Sequence, residues 1–182
     1  MEDPISIYIR LIDYNSKALT SNGTLDDVIV PIDDTLDTKN EQFIKVSGYS
    51  SDVEQTLNIG SQSSGAGAGK IQFNPLTITK FTDAASPILF EKAASGTPFR
   101  TVEVFFINAK KLLEIRQTYK LVAVKTVSWS AASGEPGMIE IISFEYGGLV
   151  ITVYQHKTNN VVQAGWNRIK NISDNDLDTV IS

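Results

Sequence analysis

The chain has 182 residues, 42% of them hydrophobic, with 21 acidic against 16 basic side chains and a formal charge of −5. That is enough apolar material for one domain with a real core, which excludes general disorder, and no basic stripe exists to attract nucleic acid. Cysteine is absent, so disulfides, thiolate metal sites and thiol nucleophiles are excluded together.

The start, MEDPISIYIRL, is acidic and alternating. It lacks the basic region and unbroken apolar run of a secretory signal, and no stretch reaches the roughly 20 apolar residues of a spanning helix. The expectation is a protein made in the cytoplasm, with no membrane insertion. If it leaves, it does so by a route that reads no cleavable signal.

ISIYIRLI (5–12) puts Ile5, Ile7, Ile9 and Leu11 on one face, the period-two mark of a half-buried strand. Residues 13–40 are polar and turn-rich and read as an extended loop; their one apolar piece, VIVPI, suits an edge strand because Pro31 lacks a ladder donor. FIKVSGYS (43–50) and VEQTLNI (53–59) read as strands, and GSQSSGAGAGK (60–70) as a small-residue loop. IQFNPLTITKF (71–81) resumes the alternation.

A short helix interrupts this pattern at about 84–95. Ser86 is a credible N-cap, Pro87 suits the first helical position, and Gly96 supplies the left-handed residue that ends a helix. So short a helix is marginal alone. It must be held through Ile88, Leu89 and Ala93, covering an open end or face of a sheet.

FRTVEVFFINA (99–109) and YKLVAVKTVSWSA (119–131) then read as strands, while KKLLEIRQT between them fits either a helical turn or a bent strand. SGEPGM (133–138) is a turn, and IEIISFEY and LVITVYQH flank Gly147-Gly148, a hairpin signal. GWNRIKN (165–171) follows a polar connection, and the acidic tail 172–182 reads as flexible. With no repeat or linker, residues 1–182 form a single domain: mainly β, about eight antiparallel strands in a sheet-rich barrel or sandwich with one helix.

Candidate chemistry fails on inspection. GAGAGK lacks the first glycine of a phosphate loop, which Ser64 replaces, and the hydroxyl after the lysine, where Ile71 stands; it also leads into a strand. His156 is the only histidine, so no histidine zinc cluster forms, and no GxSxG elbow supplies it with a nucleophile. The pairs Asp26-Asp27 and Asp33-Asp34 lack the spacing of a calcium loop. Trp129 reads as core, and Trp166 could be a stacking platform. No catalytic residue, cofactor or metal is expected.

KIQFNPLTITKFTDAASPILFEKAASGTPFRTVEVFF resembles the signature region of the haemolysin-coregulated proteins (Hcp), tube subunits of bacterial type VI secretion systems. The resemblance rests on a strand ending in Thr79 and Lys80, an Asp83-x-x-Ser86-Pro87 helix opening, a small-residue helix end at Gly96 and an alternating strand. GAGAGK, IEIISFEYGGLVITVYQ and AGWNRIKN match further blocks, so the likeness covers about 43–171. The long 13–40 segment, the altered surroundings of VSGYSSD and the acidic tail depart from the pattern.

That resemblance implies an antiparallel two-sheet β-barrel protomer, not an enzyme, forming homo-hexameric rings. Rings would stack into a tube driven by a sheath from a baseplate, tipped by a spike protein and secreted with it, its lumen able to carry effector proteins. The glycine loop, with Gly65, Gly67 and Gly69, and segment 13–40 are candidate contacts between subunits or rings. Alternatives are the tail-tube protein of a phage-like contractile particle, a β-sandwich carbohydrate-binding module using Trp166, and a hydrolase using His156.

Overall fold

Alternating β-branched and aromatic residues build strands along most of the chain. The computed structural model describes residues 4–56, 70–111, 113–135, 137–155 and 158–180. Strands β1 (Ile5–Ile12), β2 (Lys17–Leu19), β3 (Leu25–Asp27), β4 (Ile44–Val46), β5 (Gly48–Ser50), β6 (Val53–Thr56), β7 (Lys70–Phe73) and β8 (Leu76–Phe81) precede helix α1 (Ser86–Ser95). After it come β9 (Phe99–Asn108), β10 (Glu114–Gly134), β11 (Gly137–Glu145), β12 (Gly148–Gln155), β13 (Asn160–Asn167), β14 (Ile172–Ser173) and a 3-10 turn, Leu177–Val180.

Two bent strands close these into the expected antiparallel two-sheet barrel. β4 pairs with β1 and β5 with β8, and only Ser47 separates them. Its N–H and hydroxyl both donate to the Thr79 carbonyl, at 2.7 and 2.9 Å. At the opposite corner the first part of the 21-residue β10 pairs with β9 and β12, and its last part with β11. Ala123, at φ 51°, and a register shift between Thr126 and Ser128 turn it from one sheet into the other. Pairs β8–β11 and β1–β9 complete the circuit. Inside lie Ile9, Leu11, Leu76, Ile78, Val102, Val104, Leu121, Ile142 and Phe144, all fully buried.

Several expectations need correction. Gly147 and Gly148 do not turn a hairpin: β11 pairs with β10 and β8, and β12 with β10 and β13. The glycines carry the chain across the corner, where Gly147 N–H donates to the Val122 carbonyl at 2.9 Å. Segment 13–40 holds β2 and β3, whereas VIVPI forms no strand. The Val30 carbonyl instead accepts from Arg10 Nη1 at 2.6 Å, and Val30 and Leu36 pack over Phe105, Ile107 and Ile115. Of the ambiguous KKLLEIRQT, the part from Glu114 is the start of β10, and the connection before GWN is itself strand, β13 from Asn160. The tail is held: Asp174 N–H donates to the Gly165 carbonyl, and Leu177 is buried against Val122 and Val150.

These two straps explain why β9 is buried along almost its whole length, on both faces. Between the sheet and the first strap sits Arg10, side chain 3% exposed, whose Nε donates to Glu103 Oε2 at 2.7 Å. Its guanidinium also stands over the Phe43 and Phe105 rings at 5.4 and 5.9 Å.

Helix α1 begins differently from expectation as well. Ala85 occupies the cap position, in helical geometry and without a side-chain cap, and Ser86 is the first helical residue. Its hydroxyl is committed elsewhere. Lys80, with no exposure, donates from Nζ to Asp83 Oδ1 at 2.8 Å, Glu140 Oε2 at 3.0 Å and the Phe81 carbonyl at 2.8 Å. Ser86 Oγ donates to Glu140 Oε2 at 2.8 Å and accepts the Asp83 N–H at 3.0 Å. The cluster ties β8, β11 and the helix start together. Leu89 then plugs the core with no exposure, Ile88 packs beside it, and Phe90 meets the Trp129 ring edge-on at 5.2 Å.

Chemical denaturation tests each link. Glu140→Ala leaves a buried ammonium without its full partner set, a loss of about 3–5 kcal/mol; Lys80→Met with Glu140→Leu restores most of it, because the one charge left, on Asp83, is 32% exposed and keeps the Ala85 N–H. Leu89→Asp prevents folding, whereas Glu91→Gln on the exposed side leaves the midpoint unchanged. A Cβ on Gly165 would lie 2.1 Å from the Asp174 carbonyl oxygen, so Gly165→Ala lifts the tail, read as faster amide exchange at residues 174–180.

Candidate assembly surfaces

The residues singled out from the sequence fall into two groups. Lys80, Asp83 and Ser86 meet in the buried ion cluster, a structural lock rather than a ligand site. Thr79 holds the barrel corner through its carbonyl; Pro87 is exposed in the first helical turn; Gly96 ends the helix at φ 67°. Leu89 is buried, and Ile88 and Ala93 are half-buried. Gly65, Gly67, Gly69 and His156 lie outside the described residues. Among the described residues no three acidic or histidine side chains gather to hold a metal. Glu140 escapes sequence reasoning, although its phase carries a signal: in IEIISFE it shares the inward face with Ile142 and Phe144.

The outward faces of the two sheets contrast sharply. The β1–β9–β10–β12 face carries the straps. Between Ile32 on one and Leu177 on the other lies a cavity of about 190 Å³, floored by Glu103, Thr118, Lys120, Thr152 and Tyr154. Burial pushes the Tyr154 hydroxyl's pKa up, outweighing the hydrogen bond with Thr118 that lowers it. The tyrosine therefore stays protonated at neutral pH and keeps a donor in the cavity wall.

Opposite, the β5–β8–β11–β10 face is bare among the described residues. Its cross-strand rows run Gly48–Thr79–Ile141–Ser130, Ser50–Thr77–Ser143–Ser128 and Phe81–Ile139–Ala132. None of these residues is charged, in a chain where 20% are. Thr77 and Ser143 share a hydrogen bond at 2.8 Å, and charge reappears only at the Lys125–Glu145 pair. The result is a wall of hydroxyl and aliphatic groups with one aromatic ring, Phe81.

A third surface lies at the end of the strapped sheet. Beside β13 an apolar groove of about 360 Å³ runs between the β6–β7 hairpin and the inner face of β12, lined by Val53, Ile71, Phe73, Leu149, Ile151 and Trp166. Trp166 is half-buried there instead of offering an open stacking plane, and its indole N–H has no partner among the described residues. Trp129 is likewise half-buried, against the core and α1.

A sequence profile of the family described as "Type VI secretion system effector, Hcp" matches residues 33–153, about two thirds of the chain. A search of curated proteins returns no significant match. Among solved structures, one described as a type six secretion system protein superposes with TM-score 0.73 at 22% identity, covering 94% of this chain and 100% of its own. Hcp1 from Salmonella typhimurium gives TM-score 0.67 at 16% identity, covering 93% and 99%. The secreted protein Hcp3 from Pseudomonas aeruginosa gives 0.61 at 18%, covering 90% and 99%. At such identities the superpositions show a shared fold, and the profile match shows the family. The chain belongs to the Hcp family of type VI secretion systems, a family of structural tube proteins and not of enzymes.

Proposed function

We propose that six copies of this chain close into a ring, that rings stack into the tube, and that the tube leaves the cell under the thrust of a sheath, carrying a spike and effector proteins. The observation that carries this reading is the bare four-stranded face. A monomer in water gains nothing from exposing Phe81 and Ile141 on an uncharged sheet. The same face is well suited to line a channel. Without fixed charge it holds no cargo electrostatically, and its hydroxyls keep it wetted. The strapped face, with its acidic loop residues Asp33, Asp34 and Asp176 exposed, suits the outside of the tube. Stacking and effector carriage rest on the same assembly.

Purified protein at high concentration is expected to show six-fold rings by negative-stain microscopy, and a species near six times 19.9 kDa by mass photometry. A strict monomer, under conditions where mass action favours rings, overturns this reading.

A further inference from the structure

We propose that neighbouring copies join through two uncharged strand margins, the free edge of β13 in one copy receiving the far end of β10 from the next. This rests on the ring assembly proposed above and specifies its joint.

β13 pairs with β12 along its whole length on one side, but on the other with β14 only at Trp166 and Asn167. Among the described residues, nothing pairs with that second margin over Asn160–Ala164. Isolated sheet edges are ordinarily blunted by charge, proline or a bulge, because unpaired N–H and C=O groups invite another strand. β3, the opposite end of the same sheet, carries such protection in exposed Asp26 and Asp27. NVVQAGWN carries none, and Val161 and Val162, on opposite faces, are 55% and 56% exposed. The apolar groove beside Trp166 continues this surface on the inner face.

The occupant must be a strand that is itself uncharged and unpaired on one side. The chain supplies one. Beyond Val124, where pairing with β9 ends, β10 runs on with β11 on one side only among the described residues, and Val127–Ser133 reads VSWSAAS. Its far end is exposed from Ser130 to Gly134. Two different margins on one chain make a head-to-tail contact, the kind that closes a ring when its rotation allows.

Lysines placed on both faces of either margin should block the joint without touching the core. The variant Val161→Lys with Val162→Lys and the variant Ser130→Lys with Ser133→Lys are expected to keep wild-type circular dichroism and to lose at least tenfold in ring population by mass photometry. Mixed in equal amounts, they retain one good margin of each kind and are expected to form dimers that grow no further. Rings surviving in either variant, or a mixture that stays monomeric while each variant is folded, overturn the joint and leave ring assembly standing. Wild-type protein that never forms rings overturns the assembly reading itself. If either pair of lysines unfolds the chain, the single changes Val162→Lys and Ser130→Lys give the same comparison.

Discussion

A lysine ammonium sealed inside an apolar barrel is the constraint on which the rest of this structure is arranged. Lys80 has no exposure, and an isolated charge there would cost several kcal/mol after relaxation. Its proton donors must therefore find oxygens, and each oxygen commits a different element. Glu140 fixes the register of β11 against β8, where the two residues stand directly opposite. Asp83 folds the strand exit back, accepting the Ala85 N–H at 3.0 Å as well as the ammonium. Ser86 delivers the helix to the same point. The helix thus enters at a set angle, and Leu89 is delivered into the core.

The same barrel presents two unlike exteriors because only one sheet is dressed. Over the first, the strap from segment 13–40 is pinned by Arg10, and the tail is seated where glycines leave room. A Cβ on Gly148 would come within 2.9 Å of Leu177, and one on Gly165 would strike the Asp174 carbonyl. Over the second sheet no described residue is laid down, and its rows stay free of charge. One exterior is covered by the chain's own segments; the other is left open by every described residue.

Much of this is legible in the residues alone, and the failures share a cause. Strands with clean alternation, such as ISIYIRLI and FRTVEVFFINA, declare themselves through local pattern. So does the helix, whose Pro87 and Gly96 sit at its two ends. Ser86 misleads because a hydroxyl at a helix start suits both a cap and a buried ion cluster, and only Glu140, 54 residues away, decides between them. Gly147-Gly148 misleads in the same manner: turn chemistry suggests a hairpin, while the need to clear Leu177 and Val180 is invisible without the tail in place. VIVPI and the acidic tail are placed by contacts with distant strands, so their hydropathy alone carries no instruction. The bare face is readable in principle, since Thr77, Ser128 and Ser130 alternate with apolar neighbours, but its breadth needs the cross-strand register.

The length of β10 has a mechanical consequence. Because its 21 residues belong first to one sheet and then to the other, neither layer can slide past the other without breaking a hydrogen-bonded ladder along that strand. A push applied at one end of the subunit is shared across many backbone bonds loaded sideways together, instead of peeling them apart singly. A tube built of such subunits has that stiffness in every one of its bricks.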